Sequence, residues 1–206
     1  MSTNARSWAV DRPIDDSPFA LPRGFTGRLA GRIMLWTNRQ HEILEVLDVK
    51  PGDRVLEVGY GPGGLIRLLS RHTEAALIMG VDPSEEMQRF AERTNRVAVR
   101  EGRVDVRLGT AESTGLPDEC VDHVVSVNNV AIWADLDAGA RELSRVLRPR
   151  GSLVIGWHGG RAPSRMARRL RLPDDKLDRI EQALREHFSE VTRHELTTLD
   201  VFKAIK

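Results

Sequence analysis

The chain has a single cysteine, Cys120, among 206 residues. An intrachain disulfide is excluded, and nothing in the spacing of Cys and His suggests a zinc site. An excess of one charge is missing too. The 31 Lys and Arg offset 30 Asp and Glu, for a net charge of +1, so there is no global basic signature for nucleic acid. Long apolar runs are absent. None is longer than the run from Ala75 to Met79, which is far below the roughly 20 residues of a membrane-spanning helix. The N-terminal stretch up to Pro22 has no apolar core of signal-peptide type. These absences predict a cytoplasmic protein without a membrane span. The chain has no internal repeat and no low-complexity segment. Its length suits one domain with a full core and is short for two.

What is present is organised around Val55 to Gly64. Val55, Leu56 and Val58 read as a buried strand. Gly59, Gly61 and Gly63 then break the chain, and Leu65, Ile66, Leu68 and Leu69 resume at helical spacing. Strand, glycine turn and helix let a backbone approach a ligand closely, with free N–H groups at the helix start. Two ligand classes fit. Gly59, Gly61 and Gly64 satisfy the G-x-G-x-x-G dinucleotide fingerprint, with Asp82 at a suitable distance for a ribose hydroxyl. The same stretch also reads Glu57-x-Gly59-x-Gly61-x-Gly63. A carboxylate beside a central strand is costly to bury without a cationic partner, and a dinucleotide offers no cation there.

Taken in order, residues 1–22 carry Pro13, Pro18 and Pro22 among scattered charges and predict an irregular arm. Helical spacing from Thr26 to about Asp48 places Leu29, Ile33 and Trp36 on one face, a helical lid that completes residues 1–48 after the arm. Further strands are expected at Ala76–Val81, Val104–Leu108, Val121–Val127 and Leu153–Trp157, with two more near Val191–Leu196 and Leu199–Ile205. A helix capped by Ser84 runs to about Gly102. Another carries Leu136, Ala140, Leu143 and Leu147 and stops at Arg148–Gly151. A last one presents Leu177, Ile180, Leu184 and Phe188. This alternation predicts an α/β, Rossmann-like doubly wound fold. It has a mostly parallel seven-stranded sheet and helices on both faces. One domain then comprises the arm and lid (1–48), a cofactor-binding core (49–158), and a basic lid segment with a helix and two strands (159–206). Ligands bind outside the carboxyl ends of such strands, which directs attention to Tyr60, Asp82, Thr110–Glu112, Asn128–Trp133 and His158.

At those strand ends the chain resembles the class I S-adenosylmethionine-dependent methyltransferases, of the small-molecule type found in quinone and natural-product biosynthesis. The resemblance covers about residues 50–158. It rests on the Glu57–Gly63 motif, Gly80-Val81-Asp82-Pro83-Ser84, Gly109-Thr110-Ala111-Glu112, Leu116-Pro117 and Val121-Asp122. It also includes Leu147-Arg148-Pro149-Arg150-Gly151, where Arg150 replaces the usual glycine. The resemblance implies S-adenosylmethionine as cofactor. Gly59, Tyr60, Gly61 and Gly63 would line its methionine and ribose, Glu57 would face the ammonium group, and Asp82 with Pro83 would take the ribose. Thr110, Ala111 and Glu112 would meet adenine, and Asn128 would close the site from the fourth strand. Thr110 departs from the aspartate that many members have there.

Methyl transfer is an in-line displacement, so a base is needed only if the nucleophile must lose a proton. His158, just past the fifth strand, is the candidate base. Tyr60, Trp133 and Trp157 fall near strand ends and suggest an aromatic rim for the acceptor. Arg161, Arg165, Arg168, Arg169 and Arg171 follow the fifth strand with no acid among them. Arg165, Arg168 and Arg169 are therefore expected to hold an anionic group on a small-molecule acceptor. Arg23, Arg28 and Arg32 make the first lid element basic as well. Asn128 and Asn129 lack the Pro-Pro-aromatic run that follows in nucleobase amine methylation, and Cys120 precedes its strand, against a cytosine C5 mechanism. Rival readings are an RNA or protein methyltransferase, a non-catalytic S-adenosylmethionine-binding partner subunit, and a dinucleotide enzyme. No metal is expected. Oligomeric state is open, a homodimer being one option.

Overall fold

The computed structural model describes residues 7–9 and 41–206. Most of the expected arm and lid, including Leu29, Ile33, Trp36, Arg23, Arg28 and Arg32, lies outside the described residues. From α1 (His41–Leu47) the chain enters β1 (Arg54–Val58), α2 (Gly64–His72), β2 (Leu77–Asp82), α3 (Glu85–Thr94), α4 (Arg96–Arg100) and β3 (Val104–Leu108). It continues through β4 (Val121–Val127), a 3₁₀ turn (Val130–Ile132), α5 (Leu136–Val146), β5 (Leu147–His158), α6 (Arg165–Leu170), α7 (Asp174–Arg185), β6 (Glu190–Glu195) and β7 (Leu199–Ile205).

The seven strands form one sheet in the order β3-β2-β1-β4-β5-β7-β6. The first five are parallel to their neighbours, and β7 runs antiparallel between β5 and β6. The order reverses between β1 and β4, so a crevice opens at their carboxyl ends. Side chains alternate across β1. Val55 joins Ile43, Leu65, Leu69, Met87 and Ala91 from α1, α2 and α3. Leu56 and Val58 join Leu136, Ala140, Leu143, Ile180 and Leu184 from α5 and α7 on the other face. Both faces are covered, which is why the central strands read as continuous apolar runs. Each fully buried leucine or isoleucine here contributes about 1.5–3 kcal/mol.

The structure corrects two boundaries. The expected helix from Ser84 to Gly102 breaks at Asn95, which leaves helical geometry with φ −112°. Its buried carboxamide donates to the carbonyls of Gly63 and Ala91, a contact that spacing within the helix does not reveal. The Arg148–Gly151 segment is not a turn preceding a short strand. β5 begins at Leu147 and runs through it, and Leu147 pairs with Val121 before the register shifts. Arg150, where the resemblance wants glycine, takes a left-handed φ of 66°.

Candidate functional site

The glycine turn after β1 closes by two backbone bonds. Gly59 N–H donates to the Val81 carbonyl at 2.8 Å, and Gly63 N–H to the Tyr60 carbonyl at 2.9 Å. Gly59, Gly61 and Gly63 have φ of 76°, 50° and 80°, the left-handed region that an L side chain disfavours. Two of them face a second constraint. A β-carbon on Gly59 would collide with the Asn129 carboxamide, 2.7 Å from its Oδ1, and one on Gly63 would lie 2.6 Å from Asn95 Nδ2. The tight path of this loop is thus set by residues from two other segments.

Asp82, at the carboxyl end of β2, is buried and ties the neighbouring loops together. Its Oδ2 accepts the Gly61 N–H and its Oδ1 the Ser84 N–H, both at 2.9 Å. Burial pushes this carboxyl up to about 6, against the opposing pull of those two N–H groups. Ser84 caps α3 as the sequence predicts, its Oγ accepting the Met87 N–H. Pro83 is exposed beside it.

Glu57 lies on the same side of β1 as Val55 and is 4% exposed. Burial, then the charge of Asp82, raises its carboxyl well above the usual range, while the Ile66 backbone N–H at the start of α2 pulls it down. Its Oε2 is buried without a hydrogen-bond partner among the described residues. Asn128 Oδ1, at the end of β4, is in the same condition. Asn128 has φ 55°, and its N–H donates to Gly156 on β5 at 2.8 Å. Two buried acceptors without donors at the carboxyl ends of β1 and β4 suit a ligand that brings N–H groups, above all a cationic one.

The third loop is partly engaged in structure. Glu112 Oε1 accepts the N–H groups of Ala134 and Asp135, at 2.7 and 3.1 Å. Thr110 is exposed, and its Oγ1 accepts the Ser113 N–H at 3.2 Å. Ala111 has a buried methyl group. The aromatic residues are walls behind the cleft and not an exposed rim. Tyr60, Trp133 and Trp157 are all buried. Tyr60 OH donates to the Arg107 carbonyl, Trp133 Nε1 to Asn129 Oδ1, and Trp157 Nε1 to the Leu170 carbonyl. Each polar tip therefore satisfies an internal acceptor.

His158 ends β5 half-buried, its ring edge-on to Trp157 at 5.4 Å between centroids. Burial lowers its pKa. The following segment is pinned by Asp200, which is 0% exposed. Asp200 Oδ1 accepts the Gly160 N–H at 3.2 Å, and Oδ2 accepts Arg171 Nε at 3.2 Å. Arg165, Arg168 and Arg169 on α6 are exposed. Asn129, Asn95 and Asp200 carry much of this architecture; the sequence pointed to Asn129 only as part of the stretch after β4, and to Asn95 and Asp200 not at all. They act across separations that no local pattern signals.

A family model described as a methyltransferase domain matches residues 56–155. The chain is 33% identical over 129 residues to the uncharacterized methyltransferase YdaC of Bacillus subtilis, covering 62% of this chain and 69% of that one. The chain belongs to the methyltransferase domain family. Its cofactor is S-adenosylmethionine, as the family resemblance implied. The methyltransferase is also 32% identical over 111 residues to a fatty-acid O-methyltransferase of Mycolicibacterium smegmatis, covering 54% of this chain and 39% of that relative. In fold it is similar to a crystal structure from Methanococcus maripaludis assigned as an S-adenosylmethionine-dependent methyltransferase. That match has a TM-score of 0.73 at 18% identity and covers 88% of this chain and 92% of the other. Among the described residues no helix is long and apolar enough to cross a membrane, and no group of three or more His, Cys, Asp or Glu is placed to hold a metal ion.

Proposed function

We propose that this methyltransferase acts on a small-molecule acceptor bearing a carboxylate or phosphate. The observation that carries the proposal is the state of the arginines after β5. Arg171 is committed to Asp200, which fixes the end of the segment. Arg165, Arg168 and Arg169 are exposed on α6 and have no ion-pair partner among the described residues. Their segment begins at the carboxyl end of β5, the end of the sheet at which ligands bind in such folds. Guanidinium groups hold carboxylates and phosphates through paired hydrogen bonds. The fatty-acid O-methyltransferase relative is named for an acceptor class that carries a carboxylate, which supports the reading.

The bound cofactor supplies a methyl group already activated on a sulfonium, and the chain orients it. In this reading Glu57 Oε2 would receive the ammonium group, and Asn128 Oδ1 would accept a further N–H of the ligand. Gly59, Tyr60, Gly61 and Gly63 line the methionine and ribose. Asp82 and Pro83 take the ribose hydroxyls, and Thr110, Ala111 and Glu112 border adenine. Trp133 and Trp157 act as the walls that shape the acceptor side. A carboxylate acceptor attacks without losing a proton. A hydroxyl acceptor must lose one, and His158, which its lowered pKa keeps neutral near pH 7, accepts it.

The test is methyl transfer from labelled S-adenosylmethionine to a panel of small carboxylates, phosphomonoesters and their uncharged esters or alcohols. For the best acceptor, replacing Arg165, Arg168 and Arg169 by glutamine should raise KM by about tenfold or more while S-adenosylhomocysteine affinity stays unchanged. A best acceptor without an anionic group, or equal KM values, would overturn the proposal.

A further inference from the structure

The N-terminal residues Ser7 and Trp8 bind the turn that follows β4. Trp8 Nε1 donates to the Val130 carbonyl at 2.7 Å, Trp8 N–H to the Trp133 carbonyl at 3.3 Å, and Ser7 Oγ to the Ala131 carbonyl. Two consecutive residues thus satisfy three carbonyls of one short segment more than 120 positions away. On the outer side, Lys176 of α7 lies over the Trp8 ring, 5.7 Å from its centroid.

That segment is where the three loops of the cofactor site meet. On one side, Trp133 Nε1 holds Asn129 Oδ1 at 2.6 Å, and the Asn129 carboxamide fills the space against Gly59. On another, Glu112 Oε1 accepts the N–H groups of Ala134 and Asp135. At its start stands Asn128, in left-handed geometry and with an Oδ1 that has no partner among the described residues. Val130, Ala131 and Trp133 pack their side chains into the core, while the backbone carbonyls of the segment look to Ser7 and Trp8. The 3₁₀ turn has three residues and no side-chain cap, and a turn so short has little intrinsic stability.

We propose that Ser7 and Trp8 are positioning residues for the cofactor site: they clamp the 130–133 turn, and through Trp133 and Asn129 they hold the wall against which the glycine loop is set. The inference rests on the reading of Glu57–Gly63 and Asn128 as cofactor-binding. A carbonyl that loses its donor in a part-buried place favours a turn that rotates toward water. Asn128 and Asn129 would then leave the positions described here. The clamp costs the ordering of Ser7 and Trp8, and a mere tether has no need of three bonds to one turn.

The experiment compares the parent chain with Ser7→Ala/Trp8→Phe, which keeps the ring beneath Lys176 and removes both side-chain donors. Ser7→Ala alone serves as a milder variant should the double one fold poorly. Two quantities are read: the dissociation constant for S-adenosylhomocysteine by calorimetry, and amide hydrogen exchange across 128–135 in the ligand-free protein. The expected result for the double variant is roughly tenfold weaker binding together with faster exchange confined to 128–135 and the 59–63 loop. The melting temperature should fall by only a few degrees, the loss of two hydrogen bonds. A lower melting temperature with unchanged affinity would overturn the proposal, since the arm would then support the fold and not the site. Exchange unaltered at 128–135 would overturn it independently. Failure of the parent to bind S-adenosylhomocysteine would instead bring down the cofactor-site reading, with the exchange rates still judging the clamp.

Discussion

The Asn129 carboxamide occupies the place that a β-carbon on Gly59 would need, while Trp133 Nε1 fixes that carboxamide at 2.6 Å. The requirement for glycine at 59 therefore has an internal cause besides any ligand. Gly59→Ala should destabilise the protein by about 2–4 kcal/mol, combining a clash with left-handed backbone strain. Adding Asn129→Ala removes the clash but not the strain. The pair should therefore lose less than the sum of the single changes. Urea unfolding of the four proteins of the cycle measures this, and strict additivity would deny the contact.

Glu57 is a buried carboxylate with an oxygen lacking any donor among the described residues. Glu57→Gln keeps its shape and removes its charge. The ligand-free protein should gain stability at neutral pH, because a desolvated charge is relieved. S-Adenosylhomocysteine should bind at least about tenfold more weakly, because its ammonium loses a charged partner. Melting curves with and without ligand separate the two effects. Undiminished affinity would remove Glu57 from the cofactor site.

Asp82 predicts a pH dependence of unusual sign. Its folded-state pKa of about 6 lies above the ordinary aspartate value of 3.8. The folded protein therefore binds the proton more tightly than the unfolded chain. The resulting stability is fully present below about pH 4 and is lost as pH rises through 6, a span worth about 3 kcal/mol. Glu142 behaves oppositely. Its hydrogen bond from Arg145 leads the causes that hold it at about 2, so its contribution is present above 4.5 and lost as pH falls toward 2. Asp82→Asn should flatten the fall in ligand-free stability between pH 4 and 7, as read by denaturant midpoints across pH. An unchanged slope would show that Asp82 does not titrate in this window.

Arg150 sits exposed in β5 at φ 66°, its N–H donating to the Lys206 carbonyl at 3.2 Å. Glycine can keep that bond without the steric cost of a left-handed side chain. Arg150→Gly should raise stability by up to about 1 kcal/mol, the relief of strain exceeding the added freedom of the unfolded chain. A fall in the urea midpoint at constant m would contradict this.

Much of the fold was legible from the sequence because the relevant physics is local. Runs of valine, leucine and isoleucine mark strands buried on both faces, Ser84 marks a helix start, and Gly59, Gly61 and Gly63 mark a turn that needs left-handed backbone. Asp82 and Glu57 stood out because a carboxylate beside an apolar strand demands a partner. Tertiary structure alone decided what those residues meet. It placed Asn95 at Gly63 and broke a helix there, started β5 at Leu147, turned Glu112 toward Ala134 and Asp135, and buried the tryptophans with their N–H groups on internal acceptors. It also laid Asn129 on Gly59 and Trp8 on the 130–133 turn. Periodicity reports which face of an element is buried. It carries no information on which distant donor will satisfy a given carbonyl or carboxylate, because that depends on segments brought together only when the sheet has closed on its helices.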